Sequence, residues 1–123
     1  MDFTYSRKEK LKSINTISTL FTQGKSITKY PLRLVYSPTL LSENCHIKIG
    51  VSVSKKYFKK AVDRNYFKRI LRESYRLNKQ ILLNNINQSY SFMLLYQTKE
   101  RLSYQEINLK TIQLFEKFII KEE

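Results

Sequence analysis

The 123-residue chain has room for one domain, 1–123, with a single core and little area to spare. Apolar residues at 41% suffice for a globular fold, so the net charge of +13 and the pI of about 9.9 point to an acidic partner rather than to disorder. No stretch approaches the roughly 18 apolar residues of a membrane helix, the first ten residues have no signal-peptide core, and a lone Cys45 with a lone His46 builds neither a disulfide framework nor a zinc site within one chain.

These exclusions predict a cytoplasmic protein with no membrane partner. Only two glycines and two prolines punctuate the chain, which favours long regular elements. Residues 1–12 are polar and basic and read as a flexible tail, with Phe3 and Tyr5 as anchors that order on contact. Ser13 is a good N-cap for a short helix over 14–23, in which Ile14, Ile17, Leu20 and Phe21 share a face and after which Gly24 ends the run. Residues 29–40 predict a strand, with Leu32, Leu34 and Tyr36 on one side, Arg33 and Val35 on the other, and a stop at Pro38. A turn over 41–45 leads to a strand over 46–54 that alternates more cleanly. Ile47, Ile49, Val51 and Val53 face one way; His46, Lys48, Gly50, Ser52 and Ser54 face the other. That second face is small and polar. It fits the wet side of an antiparallel sheet, and equally a strip against which a flexible backbone could lie.

The stretch 55–76 carries nine Lys or Arg against Asp63 and Glu73, a local balance of +7. Placed on a helix over 61–82 at about 100° per residue, it sorts into two arcs. Tyr66, Phe67, Ile70, Leu71, Ser74, Leu77 and Ile81 form an apolar side; Arg64, Asn65, Lys68, Arg69, Arg72, Arg76 and Lys79 fall within roughly 140° opposite, with Tyr75 among them. Cations at i and i+4 (Arg64, Lys68, Arg72, Arg76) repel one another, four lysines (Lys55, Lys56, Lys59, Lys60) precede them, and the helix N-terminus is itself partly positive. One face wants a core and the other wants a polyanion, with nucleic acid favoured over a merely solvated surface.

A polar turn after the helix gives way to a strand apolar on both faces, Tyr90, Phe92, Leu94 and Tyr96 alternating with Ser91, Met93, Leu95 and Gln97, which suits the inside of a sheet. Ser103 and Glu106 form a capping box that opens a last helix with Ile107, Leu114, Phe115, Phe118 and Ile119 inward. The result is one α/β two-layer sandwich without repeat or linker. The acidic residues are dispersed, and Asp63 and Glu73 lie about 80° apart on the helix and cannot share an ion. Asp63 reads as a first-turn residue facing the helix dipole, and Glu73 as a partner for Arg69 or Arg76. There is no Gly-rich phosphate loop and no nucleophile elbow, so any bond breaking belongs to something else.

The run IGVSVSKK at 49–56 followed by KKAVDRNYFKRILRESYR at 59–76 resembles the bacterial ribonuclease P protein subunit, whose signature is a strand ending Ser-x-Ser-Lys-Lys/Arg and a helix opening Ala-Val-x-Arg-Asn. Lys68, Arg69, Arg72 and Glu73 match its Lys-Arg-x-x-Arg-Glu, and residues 11–26 are similar to its first helix, including Phe21 and Gly24. The resemblance implies an α-β-β-β-α-β-α order around a central mixed sheet, ribosomal protein S5 domain 2-like, with a left-handed β-α-β crossover against the usual rule. It further implies a monomer bound 1:1 to a catalytic RNA that, with its own Mg²⁺, removes the 5′ leader of precursor tRNA.

By that resemblance Lys55, Lys56, Lys59, Lys60, Arg64, Asn65, Lys68, Arg69, Arg72 and Arg76 would meet the catalytic RNA, and no residue of the chain would be catalytic. Phe21, Arg33, Tyr36, Ser52 and Ser54 would line a cleft for the leader. The sequence departs from the pattern at Tyr66, where the family has Arg, at Ile17 and Val35, where aromatics are common, and in the loop 55–60, where Tyr57 and Phe58 stand in place of a glycine. Two other readings compete: a non-catalytic ribosome-type RNA-binding protein, and a major-groove DNA reader, which the flanking strands disfavour.

Overall fold

The computed structural model describes residues 24–38, 47–86 and 88–122. Strands β1 (Lys25–Lys29) and β2 (Leu32–Pro38) form an antiparallel hairpin across a cis Tyr30–Pro31 peptide. The sequence pattern began this region as one strand near Lys29. Lys25–Lys29 instead forms a strand of its own, so among the described residues three strands precede the long helix. The helix and tail expected over residues 1–23 lie outside the described residues.

Strand β3 (Ile47–Val53), helix α1 (Ala61–Leu83), strand β4 (Tyr90–Tyr96) and helix α2 (Tyr104–Lys121) complete the order. The sheet runs β1-β2-β4-β3, with β4 antiparallel to β2 and parallel to β3. It is a mixed sheet, and α1 is the crossover of a β-α-β unit. Strand β4 takes the interior because it can bury both faces: Tyr90, Phe92, Leu94 and Tyr96 on one side and Ser91 and Met93 on the other are all buried.

Both described helices cover one face. Leu32, Leu34 and Tyr36 of β2, Ile47, Ile49 and Val53 of β3, and the four aromatic or aliphatic residues of β4 pack against Phe67, Ile70, Leu71, Tyr75 and Leu82 of α1 and Ile107, Leu114, Phe115 and Phe118 of α2. Each large apolar side chain wholly removed from water contributes about 1.5–3 kcal/mol before entropy is counted. Phe118 sits edge-on to Tyr36 at 4.7 Å and to Tyr90 and Phe92 at 5.2 Å, which fixes α2 over the middle of the sheet. The capping box is formed as its spacing predicts: Ser103 Oγ accepts from Glu106 N at 3.2 Å while Ser103 N donates to Glu106 Oε1 at 3.5 Å.

Helix α1 corrects the two arcs drawn from its sequence. Phe67, Ile70, Leu71 and Ser74 face the core as expected, but Tyr66 and Leu77 are exposed, whereas Tyr75 and Lys79, placed in the cationic arc, are 1% and 2% exposed. The buried side is rotated by about 60° from the expected one at 100° per residue. Packing of α1 against both β3 and α2 sets this orientation, and Asn78 Nδ2 donates to Asn108 Oδ1 at 2.7 Å across the two helices.

Candidate nucleic-acid interface

Ser54 ends β3 and closes the turn that follows. Its carbonyl accepts from Tyr57 N and Phe58 N at 3.1 and 3.2 Å, and its hydroxyl accepts from Lys56 N at 3.1 Å. The turn thereby projects Lys55 and Lys56 into solvent. Phe58 then plunges back, buried, and stacks on Phe67 with ring centroids 4.8 Å apart; Phe67 stacks on Tyr96 at 4.7 Å. This aromatic column anchors the loop to the core, and Lys59 and Lys60 emerge exposed beside the start of α1.

No side chain caps that helix start at Lys60. Its unpaired N–H groups add partial positive charge to the lysines around it. Arg64 reaches backward instead, its Nη1 donating to Phe58 O at 2.9 Å and Lys59 O at 2.8 Å. One turn or more onward, Asn65, Arg69 and Arg72 are exposed and Lys68 and Arg76 half-buried, so the cationic face predicted for this helix exists, narrowed by the burial of Lys79. Arg76 is partly engaged within the helix, its Nη2 2.8 Å from Glu73 Oε2, which decides between the two partners open to Glu73 in the sequence. That bond holds the Arg76 guanidinium above its usual pKa.

Asp63 lies in the first turn, as expected, but also accepts from Arg101 Nη1 at 3.1 Å. Arg101 was not picked out by sequence. Its Cζ lies 5.2 Å from the Phe67 centroid, 5.8 Å from Tyr66 and 5.9 Å from Phe58. The segment carrying it is held by Tyr96, whose hydroxyl donates to Glu100 O and accepts from Leu102 N. Burial pushes the Tyr96 phenol above its ordinary pKa, and the Leu102 N–H opposes that only in part. The one sequence signal for Arg101 was its place beside the capping box, which says nothing about a helix start 38 residues away.

The sheet's second face carries the other predicted site. The register puts Arg33, Leu95 and Ser52 in one row and Val35, Met93 and Gly50 in the next, so Arg33 and Ser52 stand about 10 Å apart across β4. Val35 and Met93 are buried, so the middle of this face is not simply the wet side of a sheet. Tyr36 does not join them. It is wholly buried on the opposite face, where its hydroxyl donates to Glu122 Oε2 at 3.0 Å, and strand alternation puts Val35 where Tyr36 was expected. Burial first and the Glu122 carboxylate second raise the Tyr36 phenol far above its ordinary pKa. Ser54 is occupied in the turn, and Phe21 lies outside the described residues. Among the described residues there is no group of three or more His, Cys, Asp or Glu that could hold a metal ion. No helix among them is long and apolar enough to cross a membrane.

Fold and surface define a class: a small basic α+β domain whose cations gather on one helix face and the loop that leads into it. The family model for ribonuclease P matches residues 5–119. A ribonuclease P protein component from Porphyromonas gingivalis is 44% identical over 86 residues, which are 70% of this chain and 62% of that protein's length. One from Blochmanniella floridana is 34% identical over 107 residues, 85% of this chain and 80% of that protein. Among solved structures, the Staphylococcus aureus RNase P protein superposes with a TM-score of 0.73 at 20% identity, covering 89% of this chain and 94% of its own, and shows the same fold. The Thermotoga maritima RNase P protein does so with a TM-score of 0.72 at 23% identity, covering 89% and 96%. The chain belongs to the ribonuclease P protein family.

Proposed function

We propose that this chain is the protein subunit of ribonuclease P, binding the catalytic RNA through the exposed face of α1 and the loop before it. The observation that carries this reading is the gathering of Lys55, Lys56, Lys59, Lys60, Asn65, Arg69 and Arg72 on exposed positions of one helix and its entry loop, in a chain of this family. Dense cations of one sign bind a nucleic-acid backbone by releasing its counterions, without needing base contacts. Across the sheet, the second face takes the 5′ leader of precursor tRNA: Gly50 and Ser52 let a strand approach closely, and Arg33 meets a phosphate. Hydrolysis belongs to the RNA and the Mg²⁺ it carries, one protein serves one RNA, the work is cytoplasmic, and the β3-α1-β4 crossover is left-handed.

The test is cleavage of precursor tRNA by a bacterial ribonuclease P RNA at low Mg²⁺, with and without this chain. Stimulated cleavage at the mature 5′ end that vanishes when the RNA is omitted is the expected result. Cleavage by the chain alone, or binding to the RNA without any stimulation, refutes the reading; the second outcome leaves a ribosome-type RNA-binding module.

A further inference from the structure

Tyr66 stands out on α1. It is a large aromatic residue that is 41% exposed at the edge of the cationic face, between exposed Arg69 and the buried Ile70, and its neighbour Phe67 is buried as well. Its ring is held edge-on by Phe67 at 5.0 Å, so its orientation is fixed from below. Two guanidiniums from different elements converge on it: Arg69 Cζ at 5.7 Å from the ring centroid, and Arg101 Cζ at 5.8 Å. The bond from Arg101 to Asp63 uses Nη1 of a five-donor fork. Asp63 offsets part of that charge, while Arg69 and Arg101 repel each other across the shared ring.

We propose that Tyr66, Arg69 and Arg101 form a stacking site for an unpaired base of the catalytic RNA. An exposed ring flanked by guanidinium planes is the surface on which unstacked RNA bases settle, since both kinds of plane stack with any base. The two cations then face the phosphates on either side of that base, which relieves their mutual repulsion. A duplex cannot use the ring, because its bases are already stacked, so the site reads an irregularity in the RNA and supplies register that the lysine loop and Arg72 cannot. It lies on the side of the sheet that bears α1, away from Arg33 and Ser52, which assigns it to the catalytic RNA and not to the leader. This inference rests on the RNA-binding role proposed above.

The experiment compares the full chain with Y66F, Y66A and R101Q on three RNAs at one salt concentration: a paired hairpin, the same hairpin with one bulged uridine, and a single-stranded leader oligonucleotide. Wild type and Y66F should prefer the bulged hairpin to the paired one. In Y66A the ratio of the two affinities should fall by about 5- to 150-fold, the range of base stacking on an aromatic residue. R101Q should lower the ratio in the same direction, and thermal melts should show all variants folded. A wild type without preference for the bulge, a preference that survives Y66A, or a Y66A defect confined to the leader oligonucleotide overturns the site while leaving RNA binding intact. Failure of wild type to bind any of the three overturns the RNA-binding reading along with it.

Discussion

Arg64→Ala separates two roles that the sequence merges, phosphate contact and loop anchoring. Both Nη1 hydrogens are engaged by the Phe58 and Lys59 carbonyls, at 2.9 and 2.8 Å, so the side chain ties the lysine loop to the helix it precedes. Hydrogen bonds from a charged donor contribute about 1.5–3 kcal/mol each where water is excluded. Arg64 is half-exposed, and solvent competition reduces the pair to about 1–2 kcal/mol in total. A domain of this length loses about 4 °C of Tm per kcal/mol, which sets the expected fall at about 4–8 °C. Arg72 is exposed on the same helix. Arg72→Ala should therefore leave Tm within about 2 °C, yet lower the slope of log K against log salt by about 0.9 for one lost phosphate contact. The assay pairs thermal melts with affinities for the catalytic RNA between about 50 and 200 mM salt. Arg64→Ala should lower Tm and change the slope less than Arg72→Ala does. An unchanged Tm with the full loss of slope would show that the guanidinium faces RNA and leaves the loop to itself.

Ile70→Asp places a carboxylate in the core beside α1 and should cost several kcal/mol, enough to unfold the domain by circular dichroism; a native melt would refute the assignment of that face. Ser103→Ala removes the capping-box oxygen and should cost about 1 kcal/mol in urea denaturation, and a change below the error of the fit would show that α2 does not depend on it. Tyr36 and Tyr96 both have raised phenol pKa values in the folded chain, so their contribution to stability is complete below the unfolded value of about 10 and is lost as pH rises beyond it. Tyr36→Phe should flatten that alkaline loss, and an equally steep decline in denaturation curves across this range would contradict the burial argument. Added salt should raise the Tm of the free protein by about 1–3 °C while weakening RNA binding, because one screens repulsion within the cationic face and the other screens attraction to phosphate; a Tm that falls with salt would mean that the face is held by its ion pairs.

The sheet was legible because alternation and burial coincide there. Leu32, Leu34 and Tyr36 point one way and Arg33 and Val35 the other, as the period of two requires, and the doubly apolar β4 could only lie between two neighbours. The cationic helix was legible in its existence and extent and misjudged in its rotation. An arc drawn from residue type places every Tyr, Leu and Lys by its average habit, whereas α1 is turned by the two surfaces it packs on, which bury Tyr75 and Lys79 and leave Tyr66 and Leu77 outside. For the same reason Tyr36 does not share a face with Arg33: an aromatic residue near an expected position counts for less than the parity of its place on the strand. Arg101 and the second role of Arg64 were invisible because each depends on where a loop returns, and no period encodes that.

The one-signed charge on α1 gave the strongest sequence argument for a polyanion, namely that such a helix opposes its own folding. The structure qualifies that argument. The i,i+4 pairs Arg64–Lys68, Lys68–Arg72 and Arg72–Arg76 cost together about 1 kcal/mol, whereas burial of Phe67, Ile70, Leu71 and Leu82 on the same helix contributes about 1.5–3 kcal/mol for each side chain. Glu73 removes part of the repulsion by pairing with Arg76, while Asp63 pairs with Arg101 from outside the helix. The helix is therefore stable by its packed side, and its charged side is free to be arranged for something other than folding. What points to RNA is the spatial arrangement: lysines held out by the Ser54 turn, a helix start left uncapped, and cations drawn from three segments of the chain onto one surface.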